Sequence, residues 1–204
     1  MPFLPSRITM ASLREAAGRC RGCPLYKNAT QTVFGSGRVS ARVVLVGEQP
    51  GNDEDLQGKP FVGPAGRILN EALEAAGIAR TDAYVTNVVK HFKWTPAGPR
   101  RLHKKPSARE IGACLPWLQK ELELVKPDVL VCLGATAAQA LLGRQFRVST
   151  QRGRVVSTPL ASHAVATIHP SAVLRQQSSE DRRREMAHLT ADLEVVAGLL
   201  NGRD

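Results

Sequence analysis

The sequence predicts an α/β domain built on a central, mainly parallel sheet of four strands flanked by helices. Three observations carry this. Unbroken apolar runs such as Val43–Val46 and Val129–Leu133 read as strands buried on both faces. Helix-like stretches alternate with them along 204 residues, a length that suits one domain, 1–204, with a core large enough to need no disulfide staples. The strands end in polar residues (Glu48 and Gln49, Asn87, His169), and in such sheets the ligand crevice lies outside the carboxyl ends of the strands.

Taken in order, residues 11–19 read as a short amphipathic helix ending at Gly18, and Cys20-Arg21-Gly22-Cys23 follows at once. A Cys-x-x-Cys pair places two thiolates on one metal or forms a redox disulfide. Cys114 and Cys132 complete a set of four, which points to a metal centre, with zinc and an iron-sulfur cluster both compatible. Cys132, inside an apolar run, also reads as a plain small core residue.

The strand at Val43 empties into Gly47-Glu48-Gln49-Pro50-Gly51 and an acid-rich loop that lasts until a helix begins at Ala65. Gly47 and Gly51 permit close approach of another group, and Pro50 and Pro60 stiffen the loop. The helix 65–76 is closed by Gly77, and a strand over 83–89 carries Asn87, whose amide offers a donor and an acceptor to a base edge.

Residues 90–105, KHFKWTPAGPRRLHKK, form the densest basic segment, and Pro96, Gly98 and Pro99 argue against a long helix. Basic residues interleaved with Phe92 and Trp94 suit a surface that follows phosphates and stacks on bases, although a solvated basic loop has the same composition. Arg100 and Arg101 beside His103 should lower its pKa and keep the imidazole neutral and nucleophilic.

Ser107 with Glu110 caps a helix over 108–124 that contains Cys114. A strand at 129–133, a helix at 135–142 closed by Gly143, and weakly alternating edge strands or loops at 145–160 follow. A last strand, 164–168, delivers His169-Pro170-Ser171, and a helix spans 180–200. The net charge of +10 suggests a polyanionic partner, although charge alone does not distinguish nucleic-acid binding from solubility. The chain shows no run of eighteen apolar residues and no signal-peptide layout, so the expected setting is the cytoplasm, with no membrane contact and a monomeric state.

In combination, Gly47-Glu48-Gln49-Pro50-Gly51, Glu54-Asp55, the block from Gly58 to Gly66, the cysteine pairs and His169-Pro170-Ser171 resemble the uracil-DNA glycosylase superfamily, most closely its fourth, iron-sulfur family. Gln49 and the insertion Pro99-Arg100-Arg101-Leu102-His103 are similar to the UdgX branch, in which the histidine ending a KRRIH insertion bonds covalently to DNA after uracil leaves. Pro99 and Leu102 depart from that motif, and the Cys114-to-Cys132 interval is long for the family.

The resemblance implies a substrate of uracil-containing DNA, single strands favoured, with free uracil released. It implies a 4Fe-4S cluster on Cys20, Cys23, Cys114 and Cys132, the first pair forming an N-terminal ligand segment. It further implies His103 as nucleophile and His169 as hydrogen-bond donor to uracil O2. Glu48 would either orient His103 or steady the sugar cation. Phe61 would stack on the base and Asn87 would pair with its edge. Gln49, Gly47, Asp55, Arg101 and Ser171 would complete the substrate contacts, with Arg100 and Arg101 as candidates for positioning phosphate or the catalytic loop. A conventional turnover glycosylase and a non-catalytic iron-sulfur DNA-binding protein are the rival expectations.

Overall fold

The computed structural model describes residues 3–202. Its helices are α1 (Met10–Gly18), α2 (Asn52–Gln57), α3 (Pro64–Ala75), α4 (Ala108–Val125), α5 (Ala135–Leu141), α6 (Val148–Gln151), α7 (Ser171–Leu174) and α8 (Ser179–Leu200). Its strands are β1 (Val43–Gly47), β2 (Ala83–Asn87), β3 (Trp94–Ala97), β4 (Arg100–His103), β5 (Val129–Leu133), β6 (Val155–Thr158) and β7 (Ala161–Thr167).

The central sheet has five strands in the order β2-β1-β5-β7-β6, parallel except for β6, which runs antiparallel to β7. The expectation of four strands is therefore one short. The reason is physical: β6 lies at an edge with its residues exposed or half-buried, so it leaves no apolar run to read. Strands β1, β2 and β5 are buried along their whole length.

Successive residues of these strands serve opposite faces. Val44, Val46, Tyr84, Leu130 and Ala166 join one core with Leu13 of α1 and Trp117 and Leu118 of α4. Val43, Leu45, Val85, Val131 and Val165 join the other with Leu69 of α3 and Leu193 of α8. Each Val or Leu side chain among them, withdrawn from water, contributes about 1.5–3 kcal/mol.

Two segments read as loops are ordered elements. The acid-rich stretch after Pro50 contains α2, which starts after Gly51 and ends at Gly58 in the left-handed region (φ +70°). The basic segment forms a separate antiparallel hairpin, β3 with β4, pairing Trp94 with His103 and Ala97 with Arg100. Gly98 at φ +59° supplies the first position of its two-residue turn, and Pro99 the second.

Lys90, counted with the basic surface, is in fact buried, 1% exposed, and forms an ion pair with the equally buried Glu121 of α4. Glu121 also accepts from Tyr84 Oη at 2.8 Å and from the Gly35 amide at 3.0 Å. This network ties the end of β2 to α4 and fixes the segment that leaves the sheet after Asn87.

Candidate active site

A cavity of about 410 Å³ opens at the carboxyl ends of β1 and β2, with Gln49, Phe61, Asn87, His103, His169 and Arg175 in its wall. A hollow of about 220 Å³ shares Gln49, His103, His169 and Arg175 with it and adds Glu48 and Thr136. The sheet thus brings together most of the residues singled out at the strand ends. Another hollow of similar size, at the other end of β1 beside Arg38 and Arg42, contains no imidazole.

The cavity is shaped by close packing of its own wall. A Cβ on Gly47 would stand 2.4 Å from Asn87 Oδ1 and 2.6 Å from the Phe61 ring, so only glycine lets these two side chains flank the end of β1. Phe61 is held at φ +55°, a conformation costing about 1–3 kcal/mol for a residue with a side chain. A Cβ on Gly66 would stand 1.9 Å from Phe61 O, which makes that glycine the packing partner of the turn. Glu54 holds the loop at both ends, accepting from the Gly51 amide at 3.0 Å and the Gly63 amide at 2.8 Å. Asn87 Oδ1 is the one fully buried side-chain nitrogen or oxygen without a partner among the described residues. An orphan of this kind costs about 1–3 kcal/mol, and a bound donor would relieve it.

His169 has a defined tautomer. The Ser171 amide points at its Nδ1 at 3.2 Å and the Ser171 hydroxyl lies 2.8 Å away, so Nδ1 accepts and Nε2 carries the proton. Burial, then Arg175 and His103, push its pKa down to about 4. It is a neutral hydrogen-bond donor at neutral pH. Ser171, expected among the substrate contacts, orients this ring, and Arg175 donates to Ser171 Oγ at 2.8 Å.

His103 ends β4 with half of its side chain exposed. Gln49 fixes its protonation. The Gln49 Nε2 donates to Lys93 O at 3.2 Å and Lys104 O at 3.0 Å, while its Oε1 accepts from the Lys93 amide at 3.2 Å. That pattern sets the amide orientation, so the nitrogen facing His103 Nε2 at 2.8 Å is a donor and the imidazole atom must be the acceptor. The proton of neutral His103 is therefore on Nδ1 and a lone pair on Nε2. Burial lowers its pKa, opposed by Glu48, and the cation that helps is Arg175 rather than the adjacent arginines. Glu48 Oε1 lies 3.7 Å from the same Nε2, and Thr136 Oγ1 donates to the other carboxylate oxygen.

Asp55 and Arg101 are bound to each other, an arrangement that fits the loop-positioning role weighed for Arg101. Neither lines the cavity. Asp55 is fully buried, accepting from Arg101 Nη1 at 2.6 Å and from the Thr30 amide at 3.0 Å. Arg101 also donates to Asn52 Oδ1 at 2.8 Å and lies 5.4 Å from the ring centroids of both Phe92 and Trp94. Phe92 is buried, so it packs inside the hairpin's base instead of offering a stacking face. The pair docks the hairpin onto α2. Arg101→Ala leaves a buried carboxylate unpaired and is expected to cost about 3 kcal/mol, read as a lowered Tm in calorimetry. An unchanged Tm would show that Asp55 finds another partner.

With this geometry in view, comparison with known sequences is informative. The profile described as "Uracil DNA glycosylase superfamily" matches residues 34–194. The chain belongs to the uracil-DNA glycosylase superfamily. Among relatives of this superfamily, a type-4 uracil-DNA glycosylase of Thermotoga maritima is 39% identical over 175 residues, covering 85% of this chain and 88% of that protein. One from Archaeoglobus fulgidus is 41% identical, with 79% and 82% covered. A type-5 uracil-DNA glycosylase of Thermus thermophilus is 30% identical, with 91% and 89% covered.

The cysteines divide. Cys20, Cys23 and Cys114 line one small cavity between α1 and α4, together with His91 and Trp117. Burial pushes the Cys114 thiol up to about 12, with Lys90 opposing and the nearby Cys23 and Cys20 adding to it. Cys132 does not line that cavity. It is fully buried in β5, between Val46 of β1 and Ala166 of β7, and burial alone raises its thiol to about 12. Among the described residues no three His, Cys, Asp or Glu side chains converge tightly enough for a single ion. A four-iron cluster is larger and spreads its ligands further apart.

Cavity-lining residues that the sequence did not single out are Thr136, Arg175 and His91. Thr136 and Arg175 carried no motif signal. His91 stood in plain view but was read with the basic segment.

Proposed function

We propose that the protein excises uracil from DNA, single strands favoured, and that His103 then captures C1′ of the abasic sugar, so that each molecule acts about once. The observation that carries this reading is the unprotonated Nε2 of His103, held by Gln49 at the rim shared by both hollows and 3.7 Å from Glu48.

Cleavage leaves the bond pair on uracil and makes the sugar oxocarbenium-like. The Nε2–H of His169 suits the negative charge that develops on uracil O2. The orphan Asn87 Oδ1 is an acceptor for uracil N3–H and the amide nitrogen a donor to O4, whereas cytosine presents the reverse pattern. Phe61 supplies the stacking face. Glu48 lies near the nucleophilic atom and contacts no group at Nδ1, which supports a role in steadying the sugar cation. The lone pair of His103 Nε2 then forms the bond to C1′, and its Nδ1 proton passes to water to leave a neutral N-alkyl imidazole. The Gln49 amide has two hydrogens for three acceptors, so its bond to His103 can be yielded while the two carbonyls stay held.

A 4Fe-4S cluster on Cys20, Cys23 and Cys114 belongs to the same reading; bound there, it would pin the N-terminal segment against α4.

The test is a denaturing gel of protein mixed with a uracil-containing single-stranded oligonucleotide. A heat-stable band at the summed mass is expected, with one uracil released per protein. Uracil release beyond one equivalent with no such band would instead leave a conventional turnover enzyme, and neither product would leave a binding protein.

Two further outcomes follow. Gln49→Ala removes the clamp on the hairpin, and loss of about 1.4 kcal/mol of hydrogen bonding slows adduct formation roughly tenfold. Uracil release in a single turnover should change less; an equal fall in both would mean that Gln49 holds the base. For pH, the downward shift of His103 keeps it neutral at pH 7. The adduct rate is therefore flat above neutrality and falls on acidification below about 6.5, the ordinary imidazole value. An acid limb centred above pH 7 would show another group titrating.

A further inference from the structure

We infer that the buried Lys90–Glu121 pair is a positioning device for Asn87 and thereby sets how sharply the cavity reads its base. The inference rests on the proposed reading in which the Asn87 amide pairs with uracil, and it assigns the residues that hold that amide in place.

β2 is an outer strand of the sheet, with β1 on its inner side. Its outer edge is covered at Val85, which exchanges both backbone hydrogen bonds with Ser36 at 2.8 Å. Backbone groups two residues apart in a strand point to the same side, so the Asn87 carbonyl faces that outer edge beyond the end of the Ser36 bridge. The group that meets it is the Lys90 ammonium, which turns back to donate to Asn87 O at 2.8 Å. The chain after Asn87 is tied inward, the Val88 and Val89 amides donating to Gly47 O and Glu48 O. The Asn87 peptide is therefore gripped from both sides, by the end of β1 and by one ammonium.

That ammonium has no freedom left. Its three hydrogens go to Asn87 O, to Thr86 Oγ1 at 2.6 Å and to Glu121 Oε2. Glu121 is held in turn by the Gly35 amide and the Tyr84 hydroxyl, and Lys90, Glu121, Thr86 and Tyr84 are all buried. Stability alone does not account for such a pair, because uncharged groups of similar volume often match or exceed a buried ion pair. What the pair supplies is a fixed point beside the residue whose carboxamide oxygen is left free at the cavity. An amide free to turn would present its nitrogen where its oxygen now stands, and the distinction between uracil and cytosine would blur.

The test is a double-mutant cycle on the full chain, read as single-turnover uracil release from a single-stranded oligonucleotide. Lys90→Met/Glu121→Gln removes both charges and leaves an amide able to serve Gly35, Tyr84 and Thr86. The variant is expected to melt close to the parent and to release uracil roughly tenfold more slowly, equivalent to about 1.4 kcal/mol. In an Asn87→Ala background the same two substitutions should slow release by less than about twofold, because the residue through which they act is gone. A pair that only held the fold would cost the same in both backgrounds.

Equal losses in the two backgrounds, or release within about twofold of the parent while Asn87 is present, would overturn the inference. If the paired substitution fails to fold, Lys90→Met alone is carried through the same cycle, since Glu121 keeps its donors from Gly35, Tyr84 and Thr86. An Asn87→Ala variant as fast as the parent would defeat the base-reading role of Asn87 itself. A slow Asn87→Ala variant with additive losses would defeat only the role given to the pair.

Discussion

His103→Ala abolishes the heat-stable protein–DNA band while uracil is still released, and the variant turns over. The expectation follows from the division of labour in the cavity. The groups proposed to face the base, Asn87, Phe61 and His169, line the cavity from the end of the sheet, and none depends on His103 for its position. Without the imidazole, water reaches the oxocarbenium carbon and the product leaves. The measurement is a paired one: crosslink on a denaturing gel, and uracil released per protein over many equivalents of oligonucleotide. A crosslink that survives would name another nucleophile. Lys105, which lines the hollow beside Glu48, is the amine in that wall. An amine would attack the opened sugar as a Schiff base and would need borohydride to survive denaturation, so the two bonds are chemically separable.

The second large effect is at His169. His169→Ala is expected to slow excision by about 10²–10³-fold, equivalent to roughly 3–4 kcal/mol of lost transition-state stabilisation. The magnitude is that of removing one preorganised donor from a developing anion. The donor is preorganised because Ser171 pins the tautomer and burial lowers the ring's pKa to about 4, which keeps it neutral at pH 7. Single-turnover release of uracil from an oligonucleotide measures it, and the adduct rate must fall in step, because capture follows excision. A variant that retained excision within threefold would remove His169 from the chemistry.

What the sequence disclosed follows from what burial imposes on it. Strands buried on both faces must be apolar throughout, so β1, β2 and β5 and the polar residues at their ends were legible. β6 was legible only as an edge strand or a loop, since an exposed edge imposes no such run. The hairpin hid in the same way, its charged residues reading as surface when Arg101 is in fact committed to Asp55. That pairing joins positions far apart in the chain, and no local pattern announces it. Lys90 hid its partner too: a lysine in a basic run looks solvated until the fold places Glu121 against it. Counting cysteines assembled a set of four, while the fold places Cys20, Cys23 and Cys114 on one cavity and Cys132 inside the sheet, a separation no spacing in the chain announces.

The two ends of the hairpin meet. The Lys104 amide bonds Lys93 O at 2.9 Å, and Gln49 bridges the carbonyls of both lysines. A segment whose ends touch can be inserted or deleted with little disturbance to the scaffold around it. In this chain such a detachable segment carries His103, while Asn87 belongs to the sheet and Phe61 and His169 to loops packed at its end. Under the proposed reading, base release and sugar capture therefore reside in separable parts of the molecule, with Gln49 as the latch between them.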